Sequence, residues 1–82
     1  MVALYVLKVP EFMALAEVAR RNPKCSVRDT GRGYIRIESK EDIIFNRKEL
    51  GFKPAIWYGA LTGGFDGRIA EFGRDSLRLT NA

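Results

Sequence analysis

At 82 residues, the chain has room for one compact domain, read here as residues 1–82 with no linker. Its 46% hydrophobic content, with five Phe, three Tyr and one Trp, can supply a core, and no long polar tract suggests disorder. A net charge of +4, a single cysteine (Cys25) and no histidine exclude an intrachain disulfide and any Cys-His or Ser-His-Asp nucleophilic arrangement within the chain, and leave zinc only an all-oxygen or mixed donor set.

A domain this short buries only about 60% of the surface its unfolded chain exposes, so sharing a surface with a second copy is a ready way to add buried area. The apolar start Met1–Leu7 stops at Lys8, too short for a signal-peptide core or a membrane span. With no cysteine framework, the expected location is cytoplasmic and no membrane partner is expected. The positive charge is uneven: between Arg20 and Arg36, six basic residues face only Asp29. That asymmetry favours an anionic partner without identifying one.

Val2–Val9 reads as a strand, apolar on both faces as far as Leu7 and therefore central in a sheet, closed by Pro10. Glu11–Arg21 changes period. Phe12, Leu15, Ala16 and Ala19 fall on one helical face, with Pro10 suited to the first position, Glu17 one turn from Arg21, and Asn22-Pro23 as the stop. Lys24–Glu38 reads as a β-hairpin. A three-residue loop Thr30-Gly31-Arg32 pairs Val27 with Ile35 and Cys25 with Ile37 on a buried face, and sets Arg28, Tyr34, Ser26, Arg36, Lys24 and Glu38 on the other.

Asp42–Phe45 is an edge strand or a packed loop. Asn46 followed by Glu49 caps one or two helical turns ended by Gly51. Pro54–Thr62 reads as a helix ended by Gly63-Gly64, with Trp57, Ala60 and Leu61 inward. The competing reading makes Ala55–Phe65 a strand paired with Arg68–Phe72 through Asp66-Gly67. A last hairpin pairs Phe72 with Leu77 and Ala70 with Leu79, setting Glu71 opposite Arg78. The expected class is α+β, a mostly antiparallel sheet with one or two helices on one face. A β-α-β-β-α-β core with an additional C-terminal strand is one topology this order allows.

Chemistry is sparse. Glu38, Glu41 and Asp42, or Asp66, Glu71 and Asp75, could supply an acid–base pair only by meeting in one cavity, and turn or ion-pair roles explain them more simply. Tyr5, Tyr34 and Tyr58 offer hydroxyls, and Cys25 reads as a small buried apolar residue. The glycine stretches 30–33 and 61–67 lack the spacing of a dinucleotide loop and the Lys-Ser/Thr ending of a phosphate loop.

No catalytic residue, metal site or cofactor is assigned. The best contact candidates are Arg28, Arg32, Tyr34 and Arg36 on the hairpin, with Arg20 and Arg21 nearby in sequence, because an aromatic flanked by guanidiniums gives a flat, cationic surface. Trp57 and Tyr58 in the aromatic stretch Phe52–Phe65 are candidate interface anchors. The resulting reading is a small non-catalytic interaction or accessory protein with a protein partner or itself as a homodimer. Nucleic-acid binding through the basic hairpin is the alternative, and a small enzyme using carboxylate or tyrosine chemistry the second. Any small-molecule ligand is unassigned.

Overall fold

A computed structural model describes residues 1–82. In chain order the elements are β1 (Val2–Leu7), α1 (Met13–Arg20), β2 (Cys25–Asp29), β3 (Tyr34–Ser39), β4 (Ile43–Asn46), α2 (Arg47–Leu50), α3 (Pro54–Trp57), β5 (Phe65–Asp66), β6 (Arg68–Phe72) and β7 (Ser76–Thr80). The strands form two antiparallel sheets with helices packed against them, ordered β2-β3-β1-β5 and β4-β7-β6. The first has a β-α-β-β-α-β connectivity, with β4 inserted ahead of the short helices, but its last strand is the short β5 and not Arg68–Phe72, which leaves for the other sheet. The final hairpin builds a second sheet with β4. No helix is long and apolar enough to cross a membrane.

β1 lies between β3 and β5, the central place its two-sided apolar character requires. Val2, Leu4 and Val6 point to the inner face with Ile35 and Ile37, and Leu15, Ala16 and Ala19 of α1 cover them. Pro10 opens a 3-10 turn that leads into α1. The second sheet adds Ile43, Phe45, Leu77 and Leu79 to the same core, and Leu50, Phe52, Trp57 and Ala60 close it. Asn46 caps α2 by accepting from the Lys48 and Glu49 amides, and Gly51 ends it in the left-handed region at φ 72°.

Pro54 opens a helix as expected, but α3 is one turn long and continues as turns to Thr62 rather than as helix. Ala55–Phe65 is not a strand; only Phe65–Asp66 extends, and it pairs with β1. Gly67, at φ 124°, then carries the chain from the first sheet into the second.

Two registers differ from expectation. In the first hairpin Val27 lies opposite Ile37, Cys25 opposite Ser39 and Arg28 opposite Arg36, a slip of two residues. The closing pair is Thr30 and Tyr34, with Gly31-Arg32-Gly33 as the loop, because both glycines take positive φ, 77° and 84°. The Asp29 carboxylate accepts from the Gly31 amide and the Thr30 hydroxyl donates to the Tyr34 carbonyl, fixing that loop. Cys25 is therefore half-buried, and desolvation pushes its thiol upward. In the last hairpin Phe72 faces Leu77 as expected, but Ala70 is skipped by a bulge and Ile69 takes its place opposite Leu79. Glu71 does lie opposite Arg78, but the Arg78 guanidinium pairs with Asp42 at 2.6 Å instead. Lys24 pairs with Glu41, and Glu17 forms no ion pair with Arg21.

Arg47 ties α2 to the turn between β6 and β7, donating to Asp75 at 2.9 Å and to the carbonyls of Arg74 and Phe52. That guanidinium holds the Asp75 carboxyl below the ordinary aspartate range. A carboxyl depressed on folding adds stability that is present above its unfolded pKa of about 3.9 and is lost as pH falls through the folded value. Urea midpoints should therefore decline as pH is lowered from about 5 to below 3, and Asp75→Asn should flatten that decline while lowering the midpoint at neutral pH.

Candidate functional site

The first sheet has an inner face and an open one, and strand alternation decides which residues occupy the open one. On β1 these are Ala3, Tyr5 and Leu7; on β3, Tyr34, Arg36 and Glu38; on β2, Ser26 and Arg28; on β5, Asp66. No helix covers this face, since α1 packs on the other side with the core residues. At the hairpin end the face sinks into an open depression lined by Tyr5, Arg28, Asp29, Thr30, Arg32, Tyr34 and Gly63.

The cations on this face fall into two groups. Arg36 is consumed internally. Its side chain is only 20% exposed, its Nε donates to Glu38 at 2.9 Å, its Nη1 donates to the Tyr5 hydroxyl and lies 3.7 Å from Asp66, and its guanidinium sits over the Tyr5 ring. The hydrogen bond to Glu38 raises the Arg36 pKa still further, so the group is a fixed, neutralised part of the face. Arg28 and Arg32 are the opposite case. Both are exposed and neither guanidinium has an ion-pair or hydrogen-bond partner in the chain. Arg28 also lies directly opposite Arg36, a like-charge pair that a sheet does not form for stability. The nearest carboxylate in the lining, Asp29, is held by Lys8, whose ammonium together with the Gly31 amide keeps the Asp29 carboxyl below its ordinary range.

Tyr34 shares the depression with both arginines and stays partly exposed. The structure thus brings Arg28, Arg32 and Tyr34 together, with Arg36 beside them but spent. Arg20 and Arg21 do not join this group: they end α1, behind the sheet that carries Arg28 and Arg36.

Trp57 is fully buried, with its indole N–H donating to the Gly73 carbonyl at 2.8 Å and its ring edge-on to Phe72, so it is a core residue and not an exposed anchor. Tyr58 is 55% exposed and leans on Phe72, and it does not line the depression. Tyr5 and Gly63 belong to the lining without having been singled out as contact residues. Tyr5 could have been found from the alternation of β1, which places it on the Arg36 face. Gly63 carried no signal beyond the glycine pair it belongs to.

No three His, Cys, Asp or Glu side chains converge to hold a metal ion. No protein-family model matches the chain, and no curated protein matches it in sequence. It is a small domain in which no catalytic or cofactor signature is found.

Proposed function

We propose that the domain is a non-catalytic interaction module that receives an acidic segment of a protein partner in the depression at the hairpin end. The observation that carries this is the uncompensated pair Arg28 and Arg32 beside Tyr34. Two guanidiniums gathered in one depression without a counter-charge of their own repel each other in the free domain, and a carboxylate-bearing partner relieves that repulsion. Arg28 and Arg32 would supply bidentate contacts and Tyr34 a flat surface of low entropic penalty.

Nucleic acid is the second reading, favoured by the exposed Tyr34 ring beside two guanidiniums. It ranks lower because Asp29, Glu38 and Asp66 stand on or around the same face. A phosphodiester track crossing the face would meet those carboxylates, whereas a short acidic segment needs only the two free cations.

An amide-resolved titration with a Glu-rich peptide carrying one aromatic residue, and in parallel with a short mixed-sequence RNA, separates the two. Saturable shifts at Arg28, Arg32 and Tyr34 with the peptide, weakened roughly tenfold or more by Arg28→Glu, are expected. Stronger binding of the RNA, with affinity falling steeply between about 50 and 200 mM salt, would put nucleic acid first. Silence toward both probes would end the proposal for this face.

A further inference from the structure

We infer that β6 is a self-pairing edge, through which two copies of the chain join antiparallel about a twofold axis passing between Ile69 and Ala70. β6 ends the second sheet, and β7 is its only neighbour. Arg68, Ile69, Ala70 and Glu71 are all exposed. Ile69 keeps 42% of its surface open even though it lies opposite the fully buried Leu79. Beside it, Phe72 is half-buried, and Tyr58 leans on it from the solvent side. A strand left open on both faces and along one edge carries apolar surface that its own chain does not cover.

The charges on β6 specify what covers it. Arg68 and Glu71 are three apart, so in a regular strand they would point to opposite faces. The bulge at Ala70 changes that: Arg68 lies opposite Thr80 and Glu71 opposite Arg78, on the side away from Leu77 and Leu79, so both share the outer face. Neither has an ion pair in the chain, since Arg78 is held by Asp42. In the twofold pairing, Ile69 of each copy faces Ala70 of the other, and Arg68 of each faces Glu71 of the other. Two ion pairs form at once, and the large side chain meets the small one. A twofold contact demands a self-complementary patch, and opposite charges placed symmetrically about a small apolar centre meet that demand within one strand. A bulge ordinarily discourages edge pairing by bending the strand. Here it lies on the axis, which limits the ladder to a few bonds and makes the dimer weak and concentration-dependent.

This surface belongs to the second sheet and is independent of the Arg28–Tyr34 depression. Sedimentation velocity of the whole chain over a roughly hundredfold range of concentration should show a monomer–dimer equilibrium. Arg68→Glu and Glu71→Arg, each placing like charges across the axis, should weaken dimerisation at least about tenfold, and the double exchange should restore it to within about threefold. Both substituted positions are exposed, and amide spectral dispersion verifies that each of the three variants is folded. A monomer at every concentration, a dimer indifferent to the single exchanges, or a double variant as weak as the singles would each overturn the inference.

Discussion

Trp57→Ala should be the most damaging single substitution in the chain, lowering stability by about 3–5 kcal/mol, the range seen when a large aromatic is removed from a core. Domains commonly hold only about 0.05–0.15 kcal/mol per residue in total, about 4–12 kcal/mol for a chain of this length, so the substitution should remove about a quarter of the stability or more. Three losses combine. The indole is fully buried in a core that draws on both sheets and α1, its N–H satisfies the Gly73 carbonyl, and its ring packs on Phe72 at 5.5 Å between ring centroids. Trp57→Phe separates them: with most of the volume kept and the hydrogen bond lost, the decrease should be closer to about 1–2 kcal/mol. Urea unfolding followed by far-UV circular dichroism measures both variants, because the only tryptophan is the residue removed. Equal effects of the two would show that the hydrogen bond, rather than the volume, dominates.

Gly63→Ala should be nearly as severe, for a purely steric reason. The backbone at Gly63 is not in the positive-φ region, so alanine is conformationally acceptable there. Its methyl, however, would be driven into the Tyr5 carbonyl, with the carbonyl carbon at 3.0 Å and the Tyr34 ring at 3.3 Å. A clash with main chain cannot be relieved by a rotamer change, so either β1 or the 61–64 turn must move, at a loss of about 2–3 kcal/mol. The melting temperature should fall by roughly 10–20 °C. Gly73→Ala is the control: a methyl there meets nothing within 4 Å, and little change is expected. Because Tyr5 and Tyr34 both line the depression, any Gly63→Ala protein that remains folded should also bind an acidic peptide less well. A Gly63→Ala melting temperature matching that of Gly73→Ala would disprove the close approach to β1.

The residues that declared the fold in advance are those whose signals are local. The two-sided apolar run of β1 placed it centrally, the 3.6-residue spacing of Leu15, Ala16 and Ala19 gave α1 its buried face, and Asn46 with Gly51 marked both ends of α2. The hairpin register escaped because a slip of two residues keeps every side chain on its own face, so hydrophobic alternation cannot distinguish the alternatives. The positive φ of Gly31 and Gly33 decides it, in favour of Gly31-Arg32-Gly33 over Thr30-Gly31-Arg32. The bulge was hidden because Ile69 and Ala70 are both apolar and either could face Leu79.

The site was half legible for a related reason. Arg28, Arg32 and Tyr34 lie close in sequence and their common face follows from strand period. The neutralisation of Arg36 depends on Tyr5 and Asp66, each about thirty residues away, and no spacing rule reaches that far. Trp57 read both as an inward helical residue and as a candidate interface anchor, since spacing points to the first and residue type to the second. Burial decides for the core.

The glycine corner at Gly67 has a consequence for how the molecule opens. Residues 65–72 form one nearly continuous extended segment, its first part hydrogen-bonded to β1 and its second to β7. Neither sheet can detach without dragging the other's edge. The central amides of β1 and those of β7 should consequently exchange with solvent at a common, slow rate set by global unfolding, whereas β2 and β4, each held by a single neighbour at a far edge, are free to fray first. In hydrogen-exchange language the chain has one rigid unit threaded through two sheets, and the Arg28 end of the molecule is its loosest hem.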